Sequence, residues 1–341
     1  MISIRSLPRR TSNDWRSPLL IEDDARFDHR LEAPLDFYEY ARQLGSGGAD
    51  VLLLSPSAGS WWLSRHQFGR IIVQSGTAGG GVIFGGAAQA GSFVFCLQDS
   101  DRHAAWSLNG RMIAADDIAV LAPGKPFALV GREAHTWMSL SVPLEVLEAA
   151  GFSQARLHAL GGGATLLPTR GATRSLSAAV MDALDVASAS LHPQRSEEVE
   201  RVLLAELAAT IGTDDVPNRV PRYGGSRSLD RINRNALAFI RKQDGLNSHV
   251  EDLCRAIHVS ERSLLRAFRK FFGVGPTRYM QLRRLNRVHG ELQAPDGREN
   301  TVTGILTKCG VTELGRFAGS YRELFGESPS DTLKRRRALL R

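Results

Sequence analysis

Apolar residues along the chain keep two different periods, and the change falls at Thr173. Between residues 50 and 145 they come in short runs: "VLLLS", "WWLSRHQFGRIIVQSG", "GGGVIFGG", "GSFVFCL", "DDIAVLAPGKPFALVG" and "TWMSLSVP". Each is rich in Val, Ile, Phe or Trp and bounded by Gly, Pro or Asp, the pattern of short strands in a β-sandwich or barrel. "NGR" at 109–111 predicts a hairpin turn after "HAAWSL". On either side of this block, "APLDFYEYARQLG" and "PLEVLEAAG" predict single short helices, the second ending at Gly151.

From Thr173 the spacing becomes helical. "TRSLSAAVMDALDVASAS" and "SEEVERVLLAELAATIG" predict an antiparallel helix pair, with Ser196 and the acids after it suiting the start of the second helix. "TDDVPNRVPRYGGSRS", residues 213–228, has little to bury and predicts a linker. The expected layout is an N-terminal arm (1–24), a β-rich domain (25–172), the helix pair (173–212), the linker (213–228) and a helical domain (229–337). The fold class is therefore α+β in two domains: a barrel- or sandwich-like domain with flanking helices, then an all-α domain.

The helical domain repeats one grammar. In "NSHVEDLCRAIHVSERSLLRAFRKFFG", Ser248 with Glu251 matches a capping box, Val250, Leu253 and Ile257 form an apolar face, and Ser260 suits an N-cap. In "TVTGILTKCGVTELGRFAGSYRELFG", Val302, Ile305 and Leu306 precede a Gly310-Val311 turn, Thr312 as N-cap, and Leu314, Phe317, Tyr321 and Leu324 at helical spacing. Two helix-turn-helix units are predicted, with Ser260 and Thr312 52 residues apart. Between them "PTRYMQLRRLNRVHGELQ" opens with Pro276 at an N1 position and runs roughly 27 Å as a helix. Recognition helices entering successive major grooves sit about 34 Å apart, so a rigid connector suits a two-groove reader.

Charge sharpens this picture. Of the net +7, residues 227–341 hold 23 Lys/Arg against 12 Asp/Glu (+11), and residues 1–226 hold 20 against 24 (−4). A basic module joined to a slightly acidic one points to a polyanion partner. In the first unit Arg262 and Arg266 lie opposite the apolar face, near the helix start, where arginine suits guanine edges; Leu265 lies beside them. Ser248, Ser260, Arg269, Lys270, Arg278, Arg283, Arg284, Arg287, Thr301, Thr312 and Arg322 are candidate phosphate contacts.

These residues resemble the DNA-binding domain of the AraC/XylS family of bacterial transcription regulators over residues 228–337. The first unit carries the pattern in Ser260, Arg262, Leu264, Arg266, Phe268, Gly273, Pro276 and Tyr279, the second in Gly310, Phe317, Tyr321, Phe325, Gly326 and Pro329. "ELGRFAGSYRELFGESPSDTL" is similar to the subgroup with the ethanolamine-utilisation and aromatic-catabolism regulators. Val311 stands where the family usually has Phe, and Cys254 where it usually has Ala. Groove-facing positions of the second helix carry Leu314, Gly315 and Gly319, leaving Arg316 as the main polar candidate, which suits backbone grip and shape readout. The β-rich domain is similar, in pattern, to the family's sensor domain. The resemblance implies a small effector there, dimerisation through the helix pair, double-stranded promoter DNA and RNA polymerase as partners, a bacterial cytoplasmic location, and an activator. Trp61, Trp62, Phe84, Phe93, Phe95, Trp106 and Trp137 are candidates to line the effector pocket. A different class remains: an adaptor that grips DNA nonspecifically and recruits a protein through its sensor domain.

Other readings fall away. Cys96, Cys254 and Cys309 form no C-x-x-C pair, and His66, His103 and His135 stand singly, so neither a metal nor a cofactor is implied. The glycine clusters lack phosphate-loop order, and no G-x-S-x-G elbow is present. No apolar stretch is long enough for a membrane span. "KRRR" at 334–337 reads as a solvated tail.

Overall fold

The computed structural model describes residues 35–44, 49–57, 59–98, 106–169, 171–187, 193–213, 227–242, 249–294 and 301–339. The expected arm, Ser248 and most of the expected linker lie outside them. Helix α1 (Phe37–Leu44) leads into strands β1 (Ala49–Leu53), β2 (Trp62–Phe68), β3 (Ile71–Ala78), β4 (Val82–Ala87), β5 (Ser92–Gln98), β6 (Trp106–Leu108), β7 (Arg111–Met112), β8 (Asp117–Leu121), β9 (Pro126–Gly131) and β10 (His135–Pro143). Helices α2 (Leu144–Ala149) and α3 (Gln154–Leu160), strand β11 (Ala164–Pro168), and helices α4 (Thr173–Ala187) and α5 (Pro193–Ile211) complete the first domain. The expected hairpin forms at Asn109-Gly110, both at positive φ (50° and 74°), as a mirror-image turn requires. Helix α3 and strand β11 were not expected, because "GFSQARLHALGGGATLLP" is too short and glycine-rich for a clear period.

The strands form two antiparallel sheets, ordered β1-β4-β9-β6-β7 and β11-β8-β5-β10-β3-β2. The second sheet is covered on its outer face. Phe68, Ile71, Val73, Phe93, Phe95, Leu97, Met138 and Leu140 pack there against Leu176, Val180 and Ala183 of α4 and Val199, Leu203 and Leu207 of α5. Ser196 does not begin α5, which starts at Pro193. Its Oγ accepts the Gly69 N–H at 2.9 Å, and Glu200 Oε2 accepts the Arg70 N–H at 2.8 Å, so one face of α5 is pinned to the β2–β3 turn.

The helical domain comprises α6 (Arg227–Lys242), α7 (Val250–Ile257), α8 (Glu261–Phe272), α9 (Pro276–Gln293), α10 (Val302–Lys308), α11 (Leu314–Phe325) and α12 (Pro329–Leu339). Helix α6 starts inside the expected linker. The "KRRR" segment is not a tail: it lies within α12, where Arg335 reaches Glu327 at 2.8 Å and Asp36 beside α1 at 3.8 Å. Both domains share cores. Leu52, Ile83, Ala128 and Val130 of the first sheet join Ala236, Leu264, Ala267 and Phe268, while Phe37 and Trp61 join Leu285, Val288 and Tyr321.

Candidate nucleic-acid interface and ligand cavity

Helix α8 is amphipathic. Leu264, Ala267, Phe268, Phe271 and Phe272 are buried, and Arg262, Arg266 and Arg269 are exposed on the other side. Its ends are well specified. Ser260 caps the N-terminus by accepting the Ser263 N–H at 3.3 Å, and Gly273 ends the helix at φ 71°, a conformation that costs a residue with a Cβ. The preceding turn runs through His258 at φ 55°, and Gly310 holds the equivalent place in the second unit at φ 69°. Helix α7 begins one residue later than its expected capping box: His249 is the N-cap, and Asp252 Oδ2 accepts its N–H at 3.1 Å.

The second unit differs at the same point. Its recognition helix α11 has Glu313, not Thr312, as N-cap, without a side-chain bond to the backbone. Leu314 is 39% exposed instead of joining the core, beside exposed Gly315, Arg316 and Gly319. Arg316 pairs locally with Glu313 at 3.4 Å. Helix α11 therefore offers few polar groups, whereas α8 offers three exposed arginines.

The candidate phosphate contacts divide. Ser260, Arg269, Thr301, Thr312 and Arg322 are exposed. Arg278, Arg284 and Arg287 are half-buried along α9, Arg278 donating to Gln281 Oε1 at 2.9 Å. Arg283 turns to the first domain, 3.8 Å from Asp50. Lys270 is half-buried over the Phe271 ring, with its carbonyl against the Asn109-Gly110 turn. Leu265 is half-buried against Gly275. Asn286, which the sequence reading missed, joins the domains: its Oδ1 accepts the Leu53 N–H at 2.9 Å and its Nδ2 donates to the Leu53 carbonyl at 3.3 Å. β1 is an edge strand, and this carboxamide satisfies backbone groups a neighbouring strand would otherwise take.

Between the sheets lies a cavity of about 430 Å³, within the usual range for small-molecule sites. Phe84, Trp106 and Trp137 line it as expected candidates. The other four do not. Trp61 is core, edge-on to Phe37 and tilted against Tyr40 with ring centroids 5.1 and 4.9 Å away; Phe93 and Phe95 face the α4–α5 layer; Trp62 lies on β2 and does not line the cavity. Period two decides this, since Phe93 and Phe95 alternate with Val94 and Cys96, which do line it. Tyr40 closes one end, its hydroxyl accepting the Trp137 Nε1–H at 2.8 Å. His135 stands edge-on to Trp106 with ring centroids 4.6 Å apart, and burial holds its pKa below the ordinary value. Burial likewise pushes the Cys96 thiol up to about 12, which disfavours the thiolate. Among the described residues no cluster of His, Cys, Asp and Glu has a metal-binding arrangement.

Residues 253–335 match the helix-turn-helix domain family. The XylDLEGF operon transcriptional activator 2 of Pseudomonas putida is 30% identical over 141 residues, 40% of this chain and 84% of that protein. The chain belongs to the AraC/XylS family. That family consists of transcription regulators, not enzymes. The XylDLEGF operon transcriptional activator 1 of the same species is 31% identical over 145 residues, 42% of each chain, so the match spans about two fifths of the longer relatives. Among solved structures, the AraC-like transcriptional activator CuxR aligns at a TM-score of 0.40 and 14% identity, over 76% of this chain and 91% of its own. Among the described residues no helix is long and apolar enough to cross a membrane.

Proposed function

We propose that this AraC/XylS member reads promoter DNA with α8 and α11 in neighbouring major grooves and activates transcription under the control of a small molecule held between the sheets. The observation that carries the reading is the exposed arginine face of α8 opposite its buried apolar face. Arg262 and Arg266 are assigned to base edges and Arg269 to phosphate, while α11, with Gly315 and Gly319 outward, follows DNA shape. RNA polymerase is the expected partner, and the outward face of α4 and α5 is the proposed dimer contact.

The sheet β1-β4-β9 supports effector control, because the cavity lies on one face and the helical domain on the other. Val51, Val82, Phe84, Phe127 and Leu129 point into the cavity, and the alternate residues Leu52, Ile83, Ala128 and Val130 pack on the helical domain. A ligand that shifts the inner set moves the outer set with it, since both hang on one pleated backbone. Selection of bound DNA from a random pool by the full chain, at about physiological salt, tests the reading. Enrichment of two half-sites about one helical turn apart is expected. A steep salt dependence with no enriched sequence, with or without added ligands, would replace it with a nonspecific DNA-gripping adaptor.

A further inference from the structure

The cavity is apolar around most of its wall, but one row across β2, β3 and β10 is polar. Strand register places Arg65 of β2 opposite Gln74 of β3, Gln74 opposite Ser139 of β10, and Ser139 opposite Cys96 of β5. All four line the cavity, and Ser141, one pleat along from Ser139, joins them. Arg65 brings a full positive charge to the described lining, while burial disfavours the charged form of His135. None of the hydrogen bonds or ion pairs among the described residues occupies the side chains of Arg65, Gln74, Ser139 or Ser141. Ser139 is only 4% exposed. Gln74 and Ser141 are half-buried and Arg65 is exposed, within reach of water, whereas a buried donor such as Ser139 normally has a partner; facing the cavity, it is placed to bond a ligand head.

We infer that the cavity takes a small organic monoanion, a carboxylate or a group of like shape, with its head on Arg65, Gln74 and Ser139 and its apolar body against Trp106, Phe127 and Leu129. The guanidinium fork matches two oxygens of a planar anion, and the carboxamide and hydroxyl supply further donors. A cationic head would meet Arg65 as a like charge. An uncharged head would bring no counter-charge and no second oxygen for the guanidinium fork. Arg65 is exposed, so it meets the incoming anion before the apolar body is desolvated.

This rests on the effector reading above, and one titration series separates the two. Octanoate, octan-1-ol and octylamine share a tail and differ in head; each is titrated into the full chain by calorimetry, with quenching of Trp106 and Trp137 as a second readout. Octanoate is expected to bind at least about tenfold more tightly than the alcohol or the amine. Arg65→Gln is expected to weaken octanoate by at least about tenfold and the alcohol by much less, with an unchanged thermal unfolding midpoint to show that the variant is folded. Equal binding of all three, or octanoate binding untouched by Arg65→Gln, overturns the anion assignment and leaves a ligand cavity standing. No heat and no quenching from any of the three overturns both.

Discussion

Asn286→Ala removes the side chain that completes the edge of β1 at Leu53. Both Leu53 backbone groups lose their partner, from bonds of 2.9 and 3.3 Å across 233 positions of sequence, while the third bond, to the Leu282 carbonyl at 2.8 Å, lies within α9. A hydrogen bond contributes about 0.5–1.5 kcal/mol net, so the two interdomain bonds together account for about 1–3 kcal/mol. The loss falls on local opening of β1 from α9, because β1 also pairs with β4 along Ala49–Leu53 and keeps those bonds. Hydrogen exchange read by mass spectrometry on a peptide spanning 49–54 is expected to accelerate about 5- to 150-fold. Peptides from β3 and β10, which pair in the other sheet, are expected to keep their rates. Unchanged exchange at Leu53, or equal acceleration in both sheets, would refute the argument that this carboxamide finishes the strand edge and ties the domains together. If the sheet couples cavity to helices, the same variant also weakens the dependence of DNA binding on added ligand.

Two further outcomes follow from burial and exposure. His289 lies in the second unit's core, stacked 4.1 Å from Phe325 and bonded through Nδ1 to the Tyr321 hydroxyl at 2.7 Å; burial depresses its pKa to about 4, against smaller opposing effects of Asp36 and Glu327 and alongside that of Arg335. Between about pH 4 and pH 6.5 the unfolded chain binds a proton that the folded chain refuses, so stability falls as pH drops through that window, by up to about 3 kcal/mol. Urea unfolding of wild type and His289→Gln across this range is expected to show a shallower pH slope in the variant; parallel slopes would mean His289 titrates freely. On DNA, Arg266→Ala is expected to cost about 1–3 kcal/mol on the selected site and relax one base position, while Arg269→Ala weakens all sequences alike and lowers the salt slope by about one. Uniform loss from both would show that the groove-facing side of α8 is misassigned.

The sequence by itself determined the two helix-turn-helix units and the helix that joins them. Recognition depended on local signals: Ser260 as a cap, Gly273 as a stop, Pro276 at N1, and a period in which Leu264, Phe268 and Phe272 share one face. Each acts within about a turn of chain, so spacing alone predicts it. Where two local signals competed, as with Thr312 against Glu313 or Ser196 against Pro193, the boundary shifted because the side chain found another use or none. Only the tertiary structure decided which aromatics meet the cavity. Strand β5 is apolar on both faces over Phe93–Cys96, so alternation separates Phe93 and Phe95 from Val94 and Cys96 without saying which set looks inward. That choice is made by what covers each face, α4 and α5 on one side and the β1-β4-β9 sheet on the other. The same holds for Arg65, Gln74 and Ser139, three ordinary polar residues that strand register alone turns into one row, and for Asn286, whose partner is 233 residues away. Periodicity carries information along a chain, whereas a site is a juxtaposition across it, and only packing supplies that.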